Sequence, residues 1–183
     1  MGMAHPLYYS APMVRALPDD GNRYETVHGE LLVTPTPSVR HQMILMRLIE
    51  RLSTYLASHD VPGSLLHSPA DISWSDDTLV QPDLFVADIN EVRTLDWANV
   101  KTLLLVIEVL SPSTARNDRF TKRRLYQEAR VAAYWVVDPE RGIVEVWTPE
   151  AEFPQTVKDT VSWQPIGADS SLEIDVRELF EAI

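Results

Sequence analysis

The sequence predicts a mixed α/β fold built around a central mixed β-sheet. Short runs with strand character alternate with helical patterns, and residues 103–110 are apolar throughout except for Glu108, as in a strand covered on both faces. A length of 183 residues with 45% hydrophobic content suits one domain with a substantial core. We therefore expect an irregular N-terminal lead-in over residues 1–22 and a single domain over residues 23–183.

The first part of this domain predicts a hairpin followed by a long helix. Residues 23–27 and 30–33 are short strand-like runs on either side of a His-Gly turn, which is typical of a β-hairpin. Ser38 is a candidate N-cap for a helix that ends near residue 59. His41 lies on the apolar stripe of this helix, so its side chain should point inward.

The remaining elements alternate between strands and helices. Turn-forming Ser, Asp, Pro and Gly residues separate them. In chain order, the predicted elements are strands at residues 67–74, 79–87 and 103–110, a helix at 118–130, strands at 132–137, 143–147 and 160–164, and a strand with a terminal helix capped by Asp175 at 171–183.

Composition excludes several classes of site. The chain contains no cysteine, which rules out disulfides, zinc–thiolate sites and cysteine nucleophiles and is compatible with a cytoplasmic location. No apolar run approaches the roughly 20 residues that a membrane helix needs, so no membrane partner is expected. A net charge of −11 argues against non-specific nucleic-acid binding, which requires clustered Lys and Arg.

Basic residues are nevertheless concentrated in one predicted helix and the residues just before it. The basic residues in this region are Arg116, Arg119, Lys122, Arg123, Arg124 and Arg130. Two interpretations remain open: a surface that contacts nucleic-acid phosphates, or a solvated helix face without a ligand.

Two carboxylates and a lysine are the strongest candidates for chemistry. Asp83 and Glu108 lie in neighbouring strand patterns, and a carboxylate in an apolar strand is costly to bury unless it is paired, protonated or bound to a cation. If the strands are adjacent, the two side chains converge and could hold a divalent metal through oxygen ligands. Lys122, in the following helix, could orient the attacking water or stabilise charge on a phosphate. The alternative is a purely structural Glu108–Lys122 ion pair.

An ordered series of short motifs resembles the Uma2 family of bacterial proteins, which are regarded as endonucleases. The series spans most of the predicted domain and is more specific than any single motif in it. Its members are Tyr24-Glu25, Gly29-Glu30-Leu31, Pro37-Ser38, His41, Pro82-Asp83, residues 108–114, Asp118-Arg119, Lys122, Tyr126 and residues 134–139.

This resemblance implies a restriction-endonuclease-like fold, with three α/β/α layers around a central mixed sheet. It implies a PD-(D/E)XK site in which Asp83 and Glu108 bind the metal and the backbone carbonyl of Val109 completes its coordination. In that superfamily the lysine usually stands two residues after the glutamate, where this chain has Leu110. The resemblance therefore indicates a migrated lysine, Lys122, that reaches the site from the helix.

The resemblance also implies a substrate, a cofactor and further residues. The expected activity is hydrolysis of DNA by a metal-activated water, with Mg²⁺ as the cofactor and Mn²⁺ as its alternative. His41 and Glu30 match family positions near the pocket, and a homodimer is compatible with the family. The residues expected to contact the DNA backbone are Arg116, Arg119, Arg123 and Arg124. Two other functions stay open: a catalytically silent nucleic-acid- or protein-binding module, and a phosphodiesterase acting on RNA or nucleotides.

Overall fold

A central six-stranded sheet organises the structure, a computed structural model that describes residues 8–181. The strands in this range are β1 (Arg23–Val27), β2 (Glu30–Thr34), β3 (Gly63–His67), β4 (Leu84–Asp88), β5 (Leu103–Val109), β6 (Tyr134–Asp138), β7 (Ile143–Trp147), β8 (Gln155–Val157), β9 (Thr160–Trp163) and β10 (Leu172–Asp175). Strands β3 to β8 form the sheet in sequence order; β5 and β6 pair in parallel, and the other neighbours are antiparallel. The predicted mixed sheet is confirmed.

Helices and helical turns connect these strands. They are α1 (Ala11–Arg15), α2 (Val39–Ser58), α3 (Ile89–Val92), a 3₁₀ turn (Trp97–Asn99), a π-helical turn (Asn117–Lys122), α4 (Arg123–Glu128) and α5 (Val176–Phe180). The side chain of Ser38 accepts the N–H of His41 and so caps α2, as predicted. Within the described part of the chain, none of these helices has both the length and the hydrophobicity to span a bilayer.

The sheet is buried on both faces, which makes the three layers. On one face, Leu105 and Trp135 pack against Leu48 of α2 and Ile174 of β10. On the other face, residues of the β1–β2 hairpin and of α4 pack against the alternate side chains of β4, β5 and β6. Because both faces are covered, β5 is apolar almost throughout, as its sequence predicted.

The β1–β2 hairpin is a separate two-stranded sheet that docks onto the segment before β4. His28 and Gly29 both have positive φ, of 50° and 82°, as a tight two-residue hairpin turn requires. A side chain at Gly29 would collide with the ring of Tyr8, since an added Cβ would lie 2.3 Å from it. The backbones of Thr26 and Leu79 exchange two hydrogen bonds of 2.8 Å, and these join the hairpin to the rest of the fold.

Two predicted strands lie elsewhere than expected because proline interrupts them. A strand was expected at residues 67–74, but the observed strand in this region is β3 (Gly63–His67), which ends before Pro69. A strand was also expected at residues 79–87, but the observed one, β4 (Leu84–Asp88), begins only after Pro82. Proline has no N–H to donate to a ladder, so each strand is confined to one side of it. The strand β8 was not predicted.

Helical structure also departs from the prediction at two places. The lead-in, expected to be irregular, contains α1, which the side chain of Ser10 caps; residues 1–7 lie outside the described range. The single helix expected at residues 118–130 is a π-helical turn followed by α4. Hydrophobic periodicity distinguishes poorly between these two helical forms over so short a segment.

Candidate active site

Asp83 and Glu108 lie side by side at the ends of two adjacent strands. Leu84 of β4 pairs with Ile107 of β5, which places the residue before Leu84 next to the residue after Ile107. The N–H of Asp83 lies 3.4 Å from Oε2 of Glu108, and the N–H of Val109 donates to Oδ2 of Asp83 at 2.9 Å. Both carboxylates are buried. The structure therefore brings together the two residues that the sequence singled out.

Two basic side chains hold the carboxylate of Asp83. Arg23 donates to its Oδ1 at 2.9 Å and to the hydroxyl of Ser68 at 3.0 Å. Nε2 of His41 lies 3.0 Å from Oδ2. Burial opposes ionisation of this carboxyl, but the His41 hydrogen bond and the charge of Arg23 outweigh it, and they hold the pKa of Asp83 well below its ordinary value.

Lys122 lies in the middle of a second group of carboxylates. Its Nζ lies 2.8 Å from Oε2 of Glu25, 3.0 Å from Oε1 of Glu108 and 3.5 Å from Oδ1 of Asp118. Burial alone would lower the pKa of Lys122, but these carboxylates raise it above its ordinary value, so the ammonium stays charged. Tyr126 donates its hydroxyl to Oε1 of Glu108 at 3.2 Å. The structure therefore contains the Glu108–Lys122 contact, which belongs to both the metal-site interpretation and the purely structural one.

Negative charge exceeds positive charge in the combined cluster. Four carboxylates face two permanent cations, and the members are Glu25, Asp83, Glu108, Asp118, Arg23 and Lys122. Burial, aided by the neighbouring carboxylates, raises the pKa of Glu108 well above its ordinary value and that of Asp118 to about 6. A cation entering the cluster would relieve the same excess of negative charge.

A cleft of about 870 Å³ opens beside this cluster. Asp83, Val109 and Asp118 form part of its wall, together with Arg23 and His41. Leu110, the loop that follows it and other residues near the N-terminal end of α2 also line the cleft. Lys122, Glu25 and Glu108 lie behind the wall, each no more than 2% exposed.

The structure does not bring Glu30 together with this cluster. It is exposed at the start of β2, and no hydrogen bond or ion pair within residues 8–181 joins it to the cluster. Glu25, in the other strand of the hairpin, is the residue that supplies a carboxylate to the cluster. Strand alternation explains the outcome: Glu25 shares a face of β1 with Arg23, and this face turns toward Asp83 and Lys122.

The four arginines expected to contact DNA have different surroundings. Arg119 lines the cleft, and it is ion-paired with Asp138 at 2.5 Å and with Glu145 at 3.0 Å. Arg123 lies over the ring of Trp147, 4.8 Å from its centre. The other two, Arg116 and Arg124, are exposed and lie outside the cleft lining, and Arg124 pairs with Glu128 at 2.8 Å.

Sequence reasoning missed Arg23 and Glu25 and undervalued two other residues. A signal for the first pair existed, because two opposite charges two residues apart in a strand share one face. Asp118, which the sequence named only as a member of the motif series, is 2% exposed and contacts Lys122 from inside the π-helical turn. Tyr126, likewise named only in the motif series, donates a hydrogen bond to Glu108.

The donor atoms suit a hard divalent cation. Among the described residues, no group of three or more His, Cys, Asp or Glu side chains is arranged to hold a metal ion. Mg²⁺, however, is commonly held by one or two carboxylates together with waters and substrate oxygens. Asp83 and Glu108 supply such oxygens, and the cluster carries an excess of negative charge that a divalent ion would balance. The donor atoms of Asp83 and Glu108 and the charge of the cluster therefore fit a bound Mg²⁺ ion.

Fold and site together define a class of protein: a restriction-endonuclease-like α/β protein with a carboxylate–lysine cluster at the ends of two central strands. The chain belongs to the Uma2 family, described as "Putative restriction endonuclease", whose sequence pattern matches residues 11–176. The resemblance seen in the sequence is thereby confirmed.

A solved structure shares the fold. It is the crystal structure of a protein described as a "putative nuclease belonging to DUF820" from Anabaena variabilis. The two chains superpose with a TM-score of 0.73 at 19% sequence identity, over 94% of this chain and 97% of the other. No curated protein matches the chain at a significant level.

Proposed function

We propose that this protein is a metal-dependent endonuclease that hydrolyses DNA phosphodiester bonds with water as the nucleophile. The observation that carries the proposal is the pair of adjacent buried carboxylates, Asp83 and Glu108, beside a cleft and in a cluster with excess negative charge. Membership of a family described as restriction endonucleases supports a nuclease.

In this proposal Asp83 and Glu108 hold Mg²⁺ or Mn²⁺, and the carbonyl of Val109 is the third protein ligand. The bound ion would lower the pKa of an attacking water and neutralise the scissile phosphate. Lys122 holds Glu108 through its contact of 3.0 Å and places a positive charge behind the site, where it favours a phosphate that gains negative charge. His41 donates from Nε2 to Asp83, which orients that carboxylate toward the cleft.

DNA would enter along the cleft, where its backbone meets basic groups. Arg119 is the cleft-lining member of the four predicted arginines, and Arg23 and Arg40 also line it. Arg40 donates to the carbonyl of Pro139 at 2.8 Å and is otherwise exposed. We therefore assign the phosphate contacts to the cleft-lining arginines rather than to the outer face of α4. A homodimer stays a prediction.

A catalytically silent nucleic-acid-binding module is the second candidate. The observation that favours it is the burial of Glu108, 1% exposed, in an ion pair with Lys122. In such a protein the same cluster would stabilise the fold without chemistry. The two functions differ in whether a divalent ion binds and whether a phosphodiester bond is broken.

The test is cleavage of supercoiled plasmid at low salt with Mg²⁺ or Mn²⁺, comparing wild type with Asp83→Asn. Asp88→Asn is the matched control. Asp88 lies at the end of β4 that is remote from Asp83, and an asparagine there can still cap α3. We expect metal-dependent nicking by wild type and D88N and none by D83N. Equal nicking by D83N, or none by wild type, would refute the nuclease. RNA and a dinucleotide serve as the alternative substrates.

A further inference from the structure

We propose that Glu25 is a positioning residue of this site: its carboxylate holds Lys122 and the segment before Asp83 in their working arrangement. This inference rests on the proposed nuclease function. Glu25 is fully buried, with 0% of its surface exposed, yet it lies in a two-stranded hairpin outside the central sheet. A charged side chain with no solvent contact in such an element needs its partners, and these partners belong to the site.

One carboxylate joins three parts of the fold. Oε1 of Glu25 accepts the N–H of Gln81 at 2.7 Å, two residues before Asp83. Oε2 lies 2.8 Å from Nζ of Lys122 in the π-helical turn. The hairpin, the strand segment that carries Asp83 and the helix that carries Lys122 are therefore fastened to one another through a single side chain.

The chemistry of both partners requires a group that only accepts hydrogen bonds. The N–H of Gln81 and the ammonium of Lys122 are both donors, and an ionised carboxylate offers two acceptor oxygens. An amide at position 25 could satisfy one partner with its oxygen, but its NH₂ group would then face the other donor. Glu25→Gln therefore keeps the size of the side chain and loses one of the two contacts.

Loss of this contact would change how Lys122 is shared. An ammonium has three hydrogens, and in the structure three carboxylates surround it. Without the contact at 2.8 Å, Lys122 would turn toward Glu108 and Asp118. Glu108 would then be bound more tightly by the lysine, and its oxygens would be less available to a metal ion. The expected effect therefore falls on metal affinity and on turnover together.

The experiment measures Mn²⁺ binding by isothermal titration calorimetry, and kcat and KM for cleavage of a DNA oligonucleotide, in wild type, E25Q and Glu25→Asp. Glu91→Gln is the control for stability. Glu91 also accepts backbone N–H groups of a neighbouring segment, those of Lys101 and Thr102, and it does not line the cleft. Urea unfolding of each variant shows how much of any effect is general destabilisation.

We expect E25Q to bind Mn²⁺ ten- to a hundredfold more weakly and to lose kcat by a similar factor, with KM nearly unchanged, as for residues that orient metal ligands. E25D keeps the charge on a shorter side chain and should recover part of both losses. Wild-type Mn²⁺ affinity and kcat in E25Q, or an equal loss in E91Q, would overturn the inference.

The binding measurement separates this inference from the nuclease itself. If wild type binds Mn²⁺ without cutting nucleic acid and E25Q weakens that binding, the positioning role stands and the nuclease fails. If wild type cuts DNA and E25Q equals it in both measurements, the nuclease stands and the positioning role fails. If wild type neither binds nor cuts, both are overturned.

Discussion

Replacing Lys122 with methionine would remove an ammonium that three buried carboxylates share. Glu25, Glu108 and Asp118 lie 2.8, 3.0 and 3.5 Å from its Nζ, and the lysine is 2% exposed. Methionine is also unbranched and fills most of the space, so the change is mainly one of charge. Removing one partner of a buried ion pair costs about 3–5 kcal/mol. Against a typical stability of about 5–15 kcal/mol, K122M should lose a large share of its free energy of unfolding at pH 8.

The cost of K122M should depend on pH in a defined direction. Without Lys122, the buried carboxylates would relieve their repulsion by binding protons, so the folded variant would hold more protons than both its unfolded chain and the folded wild type. Stability then rises as pH falls, by about 1.4 kcal/mol per pH unit for each extra proton. Between pH 8 and pH 6, one extra proton would recover about 2–3 kcal/mol of the loss.

Urea unfolding at both pH values, followed by tryptophan fluorescence, measures these changes. Arg124→Met is the control. Arg124 and Glu128 form an ion pair within α4, on the surface of the protein, and the side chain of Arg124 is 74% exposed. Exposed pairs of this kind contribute about 0.5 kcal/mol or less. A loss below about 1 kcal/mol in K122M at pH 8, or the same loss at both pH values, would refute the shared-ammonium argument.

Three further predictions concern the charge cluster and the cleft. Glu108→Gln should change the free energy of unfolding by no more than about 1 kcal/mol, because Lys122 keeps two carboxylate partners and the repulsion between carboxylates is relieved. It should nevertheless abolish the rise in Tm that Mn²⁺ causes in wild type. A loss of several kcal/mol with an unchanged effect of Mn²⁺ would favour a purely structural ion pair. Asp118→Asn should be more stable than wild type above pH 6, because the raised pKa of Asp118 means that its charged form is disfavoured in the folded state. About 3 kcal/mol of this advantage in free energy of unfolding should be lost as pH falls toward 3.8. Urea unfolding from pH 4 to 8 measures the difference between variant and wild type, and a difference that does not change with pH would contradict the prediction. Arg40→Ala should lower the salt dependence of duplex DNA binding by about one phosphate contact in fluorescence anisotropy, whereas an equal effect of Arg124→Ala would place the DNA on the helix surface instead.

Local sequence was informative where one residue broke a pattern. Glu108 interrupts an apolar strand and Asp83 follows a proline at a strand start, so both could be recognised without knowing their neighbours. Their adjacency required only that the two strands pair, which they do. Lys122 could be proposed because it lies on the next helix, and the π-helical turn brings its ammonium to Glu108.

Distant packing decided what the sequence did not reveal. A hairpin with alternating residues has the pattern of a surface element, and only its docking through Thr26 and Leu79 buries Glu25. Arginines 116 to 124 have the pattern of a nucleic-acid-binding face. Asp138 of β6 and Glu145 of β7 pair with Arg119, and the other arginines that line the cleft, Arg23 and Arg40, come from outside this run. Such pairings depend on tertiary structure and carry no local signal.

The π-helical turn Asn117–Lys122 makes the site depend on the number of residues between Asp118 and Lys122. Deleting one residue between Asp118 and Lys122 would favour an ordinary α-helix and move the lysine from the fourth to the third position after the aspartate. Every charged residue of the cluster would still be encoded, yet the ammonium of the lysine would leave the position from which it contacts Glu25, Glu108 and Asp118 at 2.8, 3.0 and 3.5 Å. In comparisons among relatives, the spacing of these two residues is therefore a feature of the site alongside their identity.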